Sequence, residues 1–184
     1  MKFFRDKLYE DITIPAPPKD DIVEAAEVKR LIANRTAEQE KSIADHDEVP
    51  FYAIKKYCDD NKMMFHKDEF KDIIYGATDT INYFKDKFDR KRPIEVDKTL
   101  DTSPSKTNKT PSYPSGHAAQ SRIVARYVAG KFPEHEANLI EAGNECGYGR
   151  VLAGFHYPSD YEAGNLLGEK MYKLMNKEDY IKEM

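Results

Sequence analysis

The stretch from 69 to 93, "EFKDIIYGATDTINYFKDKFDRKRP", decides the fold class. Phe70, Ile73, Ile74, Ala77, Ile81, Phe84 and Phe88 recur at steps of three and four over about five turns, which lines them along one face of a 3.6-residue helix. The pattern stops before the "RP" at 92–93, because the residue preceding proline disfavours the right-handed helical region. The reading is a long core helix.

Working outward, the punctuation stays helical. After the Pro-rich "IPAPPKDD", residues 21–34 carry Ile22, Ala25, Val28, Leu31 and Ile32 at near-helical spacing, and "TAEQ" from Thr36 to Gln39 has capping-box form. Pro50 suits a first helical position ahead of "FYAIKKYC". Residues 94–113 supply Thr, Ser, Lys, Asp, Asn and Pro with almost no apolar content, a loop longer than compact domains keep without a functional reason. Three further helices are expected at about 116–130, 135–154 and 160–175. Strand-like alternation is scarce and no internal repeat occurs. The expectation is an all-α fold: a single-domain helical bundle over 1–184, with a Pro-rich lead-in (1–20), a motif-bearing core (85–168) and a long polar loop bordering the active site.

Composition narrows the function classes. The chain has 184 residues, enough for one hydrophobic core without disulfides or metals. With 34% charged residues and no apolar run near the roughly 20 that a membrane span requires, a soluble protein without a membrane span is expected. Lys and Arg total 29 against 33 Asp and Glu, and no basic stripe offsets the net charge of −4, so nucleic acid is not an expected partner. The N-terminal residues have neither the apolar stretch nor the cleavage site of a secretory signal, which makes the cytoplasm the default compartment. Cys58 and Cys146, 88 positions apart, form neither a zinc pattern nor a disulfide framework and read as free, partly buried thiols. Homo-oligomerisation is left open.

The expected helix at 135–154 carries Gly143, Gly147, Gly149 and Gly154, each costing about 0.5–1 kcal/mol relative to Ala. Gly143, Gly147, Arg150 and Gly154 follow steps of four, three and four, so three glycines share a face with Arg150. Two compatible readings stand: close helix packing, which Gly164 and Gly168 would extend, or a bare surface that lets an anion or another active-site element approach the guanidinium.

The chemistry gathers in three blocks. In "TPSYPSGHAAQ" (110–120), Ser115 and Gly116 stand where helix-terminal N–H groups and the positive end of the dipole would meet an anion, with His117 next in line. Lys85 and Arg92 are seven apart, two helical turns, so both can project from one side near the end of the long helix. In "GRVLAGFHYPSD" (149–160), His156 and Asp160 are four apart, so the carboxylate can fix the imidazole tautomer and leave the other nitrogen free as nucleophile or base. Three cations, an amide-rich helix start, two histidines and an orienting carboxylate together describe a phosphoryl-transfer site that needs no metal. His46, His66 and His135 lie among charges and are expected on the solvated surface.

The order Lys85, Arg92-Pro93, then Pro114-Ser115-Gly116-His117, then Arg150, His156 and Asp160 resembles the signature of the type 2 phosphatidic acid phosphatase and vanadium haloperoxidase superfamily. The resemblance covers about residues 85–168. "IPAPPKDD" and "NRTAEQ" are similar, less specifically, to the start of soluble bacterial class A non-specific acid phosphatases. One departure is Gly149 before Arg150, where the family usually has Ser. The resemblance implies a metal-independent phosphomonoesterase acting on a phosphorylated small molecule. His156 would attack phosphorus and form a phosphohistidine, Asp160 would hold its imidazole, and His117 would protonate the leaving alkoxide. Lys85, Arg92, Arg150, Ser115 and the Gly116 N–H would bind the phosphoryl oxygens. No cofactor or metal is implied, although vanadate fits the same anion site, and related enzymes are often periplasmic. The alternatives are a vanadate-dependent haloperoxidase, usually a much longer chain, and a non-catalytic phosphate-binding or structural module.

Overall fold

In the computed structural model, which describes residues 3–65 and 68–176, every regular element is helical. After a short 3-10 turn at Leu8–Asp11 come α1 (Asp21–Ala33), α2 (Ala37–His46), α3 (Tyr52–Asp60), α4 (Glu69–Phe88), α5 (Pro93–Val96), α6 (Gly116–Lys131), α7 (Glu136–Leu152) and α8 (Pro158–Lys173). The all-α expectation holds. Thr36 caps α2 by accepting from the Gln39 N–H at 3.2 Å while the Gln39 side chain accepts from the Thr36 N–H at 2.9 Å, the reciprocal box read from "TAEQ".

The amphipathic face of α4 buries Phe70, Ile73, Ile74, Ala77, Ile81 and Phe84 in the main core, which α6 completes with Ala119, Ile123, Val124 and Val128. Each large apolar side chain so buried contributes about 1.5–3 kcal/mol. That face also carries Lys85, only 5% exposed, so apolar burial on its own helix offsets the cost of removing an ammonium from water. Helix α6 sits centrally, packed on α7 and α8. A second core cluster joins Ala25, Val28 and Ile32 of α1 to Leu100, Val151 and Tyr157.

The small residues explain the close approach of α6, α7 and α8. A Cβ on Gly143 would stand 3.3 Å from both Ala125 Cβ and the Ser121 carbonyl oxygen; one on Gly147 would stand 2.9 Å from the Tyr161 ring. On α8, a Cβ at Gly164 would lie 2.5 Å from the Ser115 carbonyl oxygen, and one at Gly168 would lie 2.7 Å from that of Ala119. These contacts favour the packing reading. Gly154 departs from the expected face: it lies beyond the end of α7 with φ +80°, a left-handed conformation that ends the helix.

Three boundaries differ from the sequence reading. Helix α3 starts at Tyr52, with Pro50 in the preceding turn, where the Tyr52 N–H donates to the Val49 carbonyl at 3.0 Å. Helix α4 ends at Phe88 because Asp89 turns left-handed (φ 42°), and the extended pre-proline conformation falls on Arg92, outside the helix. Lys85 and Arg92 therefore do not share a helical face; the turn at Asp89 brings them together instead. Short α5 occupies the start of the expected 94–113 loop, Pro93 filling its first turn.

Candidate active site

A cavity of about 260 Å³ opens among α4, α6, α7 and the polar loop; Lys85, Arg92, Gly116, His117, Arg150 and His156 all line it. The three sequence blocks thus converge, and Thr107 and Thr110 bring the loop to the rim.

The block "HYPSD" explains its own geometry. Asp160 is the third residue of α8, where a carboxylate is favoured by the helix dipole, and its Oδ2 accepts the Tyr157 N–H at 3.0 Å. The same oxygen lies 3.1 Å from His156 Nδ1 and accepts from the Ser112 hydroxyl at 2.5 Å, while Oδ1 accepts from Arg90 Nη1 at 2.7 Å. An ionised carboxylate only accepts, so Nδ1 carries the proton and Nε2 keeps its lone pair. Arg92 Nη1, 3.3 Å from Nε2, donates to it. Burial, then Arg92, Lys85 and Arg150, hold His156 well below the usual histidine range, so the imidazole is neutral. Burial pushes Asp160 up, opposed by Arg90, Ser112 and the Tyr157 N–H.

Lys85 and Arg92 are held by backbone carbonyls, and Arg150 by side chains. Lys85 Nζ donates to the Pro111 carbonyl at 2.5 Å, Arg92 Nε to that of Thr110 at 2.8 Å, and Arg92 Nη1 to that of Phe155 at 2.9 Å. Burial and then Arg92 push Lys85 down to about 7; burial and then Arg150 push Arg92 down to about 10. Arg150 is 2% exposed and lies over the Phe155 ring, its guanidinium carbon 4.4 Å from the centroid. Its Nη1 donates to Asp47 Oδ1 at 2.8 Å and its Nη2 to the Thr107 hydroxyl at 3.0 Å. Its Nε is buried without a hydrogen-bond partner, a donor that an anion oxygen would satisfy. Mutually repelling buried cations plus an unpaired donor give the cavity a lining that could accommodate an anion.

At the start of α6 the Ser115 hydroxyl is fully buried and accepts the Ala118 N–H at 3.4 Å, which makes it the N-cap. The Ser115 N–H donates to the Asp160 carbonyl at 3.0 Å, tying this helix start to α8. His117 Nε2 donates to the Asp47 carbonyl at 2.9 Å. Burial and then Arg150 push His117 down to about 3.

Sequence reasoning missed Asp47, Arg90 and Ser112. Asp47 accepts from Arg150, from the Ser105 hydroxyl at 2.6 Å and from the Lys106 N–H at 2.8 Å, so it pins the polar loop beside the anion pocket. Burial raises its pKa, but those donors outweigh burial and hold it well below the carboxylate range. Only the position of the cluster "DHDE" just before a helix break could have flagged it. His46 corrects an expectation: it is 2% exposed, with Nδ1 donating to the Ser42 carbonyl at 2.8 Å and Nε2 accepting the Ala53 N–H at 3.2 Å. His135 is half-buried against the Tyr57 hydroxyl at 2.8 Å, and His66 lies outside the described residues. Cys58 and Cys146 are free, and buried more completely than expected. No described helix is long and apolar enough to cross a membrane.

Residues 73–177 match the model of the PAP2 superfamily. A protein of Zymomonas mobilis named acid phosphatase is 32% identical over 110 residues, 58% of this chain and 42% of the relative. A non-specific acid phosphatase of Salmonella typhi is 42% identical over 57 residues, 31% of this chain and 23% of the relative, and one of Providencia stuartii is 36% identical over 62 residues, 34% and 25% respectively. The aligned stretch therefore spans less than half the length of each of these relatives.

Proposed function

Since the chain belongs to the PAP2 superfamily, with more than half of its length matched, we propose that it is a metal-independent phosphomonoesterase acting through a phosphohistidine. The observation that carries this reading is the placement of His156: Nδ1 is held by Asp160 at 3.1 Å and the neutral Nε2 stands in a cavity lined by Lys85, Arg92 and Arg150. The names of the relatives support the same activity.

In the proposed cycle the cations and the Gly116 N–H bind the phosphoryl oxygens. Nε2 then attacks phosphorus, forming an N–P bond as the P–O bond to the leaving alkoxide breaks. Asp160 stabilises the positive charge that develops on the ring. His117 protonates the leaving oxygen: it is neutral beside Arg150, and the negative charge of a bound phosphoryl group raises its proton affinity. Water then cleaves the N–P bond and releases phosphate. Ser115 sets the first turn of α6 by accepting the Ala118 N–H, which leaves its hydroxyl proton to donate to a phosphoryl oxygen. The leaving group would lie against Ile74, Thr78, Ile81 and Asn82 of α4, which suits a small, mixed polar and apolar alcohol.

The test is a panel of phosphomonoesters, diphosphates and nucleotides assayed with a chelator present. Hydrolysis of monoesters unaffected by chelator is expected. Absence of turnover on every ester, or restoration only by added divalent ions, overturns the reading.

A further inference from the structure

The mechanism above leaves a fully buried arginine unused. Arg90, 5% exposed, is held from three directions. Its Nη1 donates at 2.7 Å to Asp160 Oδ1 and at 2.7 Å to the Ser159 hydroxyl. Its Nε donates to Asp21 Oδ1 at 2.9 Å and its Nη2 to Glu24 Oε2 at 2.7 Å, both on α1. The guanidinium carbon lies 3.9 Å from the centroid of the Tyr157 ring. Glu24 also accepts from the Ser159 N–H at 3.0 Å and the Ser159 hydroxyl at 2.6 Å, so one carboxylate clamps both Arg90 and the first turn of α8.

From this geometry we infer that Arg90, braced by Asp21 and Glu24 of α1, is a positioning residue that fixes the aim and charge of Asp160 and thereby the proton on His156. A carboxylate can rotate; Arg90 takes Oδ1 and leaves Oδ2 to His156 and Ser112. The inference rests on the proposed function and extends the site to α1, which lies outside the residues matched by the superfamily model. Charge is segregated across the nucleophile: carboxylates of Asp21, Glu24 and Asp160 surround Arg90 on one side, and Lys85, Arg92, Arg150 and His117 face the ring on the other. Tyr113 and Tyr157 are the remaining titratable groups near Asp160. Removing the Arg90 charge leaves the ionised Asp160 carboxylate less neutralised, so it favours a protonated His156 more strongly and the coupled pair retains its proton to higher pH.

The experiment compares Arg90→Gln, Arg90→Lys and Glu24→Gln with the unaltered full chain. It reads kcat and KM on phenyl phosphate across pH, and the ¹⁵N imidazole signals of His156 in the ligand-free proteins, assigned with His156→Gln. Arg90→Gln should lower kcat by about tenfold or more, leave KM within about threefold, and move both the acid limb and the His156 titration up by about one pH unit. Arg90→Lys, which retains the charge without the planar fork, should keep the limb near its original place and recover part of kcat. Glu24→Gln frees Arg90 to neutralise Asp160 further and should move the titration the opposite way. A folded Arg90→Gln or Glu24→Gln protein whose His156 titration matches the original protein's overturns the inference, and if Arg90→Gln does not fold, Glu24→Gln decides it. Should the unaltered protein hydrolyse no ester, the proposed function falls, while the imidazole titration still reports whether Arg90 governs His156.

Discussion

His156 Nδ1 and Asp160 Oδ2 lie 3.1 Å apart across one turn, and the Asp160 carboxylate that orients the imidazole also caps α8 through the Tyr157 N–H. Orientation of the nucleophile and initiation of the helix are thus one interaction. His156→Ala should abolish turnover, below about one part in a thousand, while fold and phosphate affinity persist, because the three cations are untouched. Asp160→Asn should lower kcat by about a hundredfold or more, since an amide can present its N–H to Nδ1 and reverse the tautomer, and should also lower the melting temperature through the weakened cap. Near-native turnover in His156→Ala removes His156 as nucleophile; unchanged kinetics in Asp160→Asn confine that residue to the helix cap.

The approach of α8 to the helix start at Ser115 predicts a second outcome. A Cβ on Gly164 would stand 2.5 Å from the Ser115 carbonyl and 2.8 Å from Ala118 Cβ, and backbone cannot yield as a side-chain tip does. Gly164→Ala should therefore destabilise the fold by about 1–3 kcal/mol despite the better helix propensity of alanine. Because the displaced segment is the first turn of α6, KM for phosphate esters should rise as well. Thermal melting together with KM checks both; an unchanged melting temperature means that the helices separate freely.

Much of the site was legible because its chemistry is local in sequence. Lys85, Arg92, Gly116 and His117 of the "PSGH" turn, Arg150 and His156 line one cavity, and Asp160 stands behind His156. Asp47 and Arg90 were not legible: "ADHDEV" and "DRKRP" look like solvated faces, and their partners lie 103 and 70 positions away in Arg150 and Asp160. The same composition hid His46, whose ring turns inward and is satisfied by backbone of α2 and α3. Arg92 lines the cavity with Lys85, but through a left-handed turn at Asp89 and not through the helical periodicity expected. Local pattern reveals which groups carry the chemistry, whereas the buried counter-charges that aim them depend on the tertiary fold.

Depressed proton affinity in the resting site makes anion binding visible as proton uptake. Lys85 is pushed down to about 7 and His117 to about 3, in both cases first by burial. An anion between them raises both values, so at pH 8, where the resting Lys85 is mostly neutral, phosphate binding should draw a proton from solution. Calorimetry in buffers of different ionisation enthalpy should give a positive proton stoichiometry near pH 8, which near pH 5.5 loses the Lys85 contribution, that group being already charged, and keeps only the uptake by His117. By the same sign, binding weakens as pH rises through the Lys85 range, because part of the binding energy is then used to protonate the ammonium. Lys85→Met should remove most of the uptake; a stoichiometry of zero at pH 8 in the original protein contradicts a depressed Lys85.

Vanadate tests the anion site and the competing haloperoxidase reading together. It adopts the five-coordinate geometry of phosphoryl transfer, with an axial position that His156 Nε2 can fill and equatorial oxygens that need donors. Arg150 is the decisive donor: Asp47 and Thr107 occupy Nη1 and Nη2, and its buried Nε is the atom without a partner. Vanadate should compete with substrate and bind at least about a hundredfold more tightly than phosphate. Arg150→Ala should weaken vanadate more than it raises KM, because charge-assisted bonds matter most where equatorial charge is greatest. Equal losses for vanadate and substrate would mean that Arg150 binds ground and transition states alike. With vanadate, peroxide and bromide supplied, weak halide oxidation fits a phosphatase whose anion site accepts the oxyanion. Efficient bromination by a protein that hydrolyses no phosphomonoester would transfer the assignment to the haloperoxidase side of the superfamily, where the same cations would serve a bound vanadate.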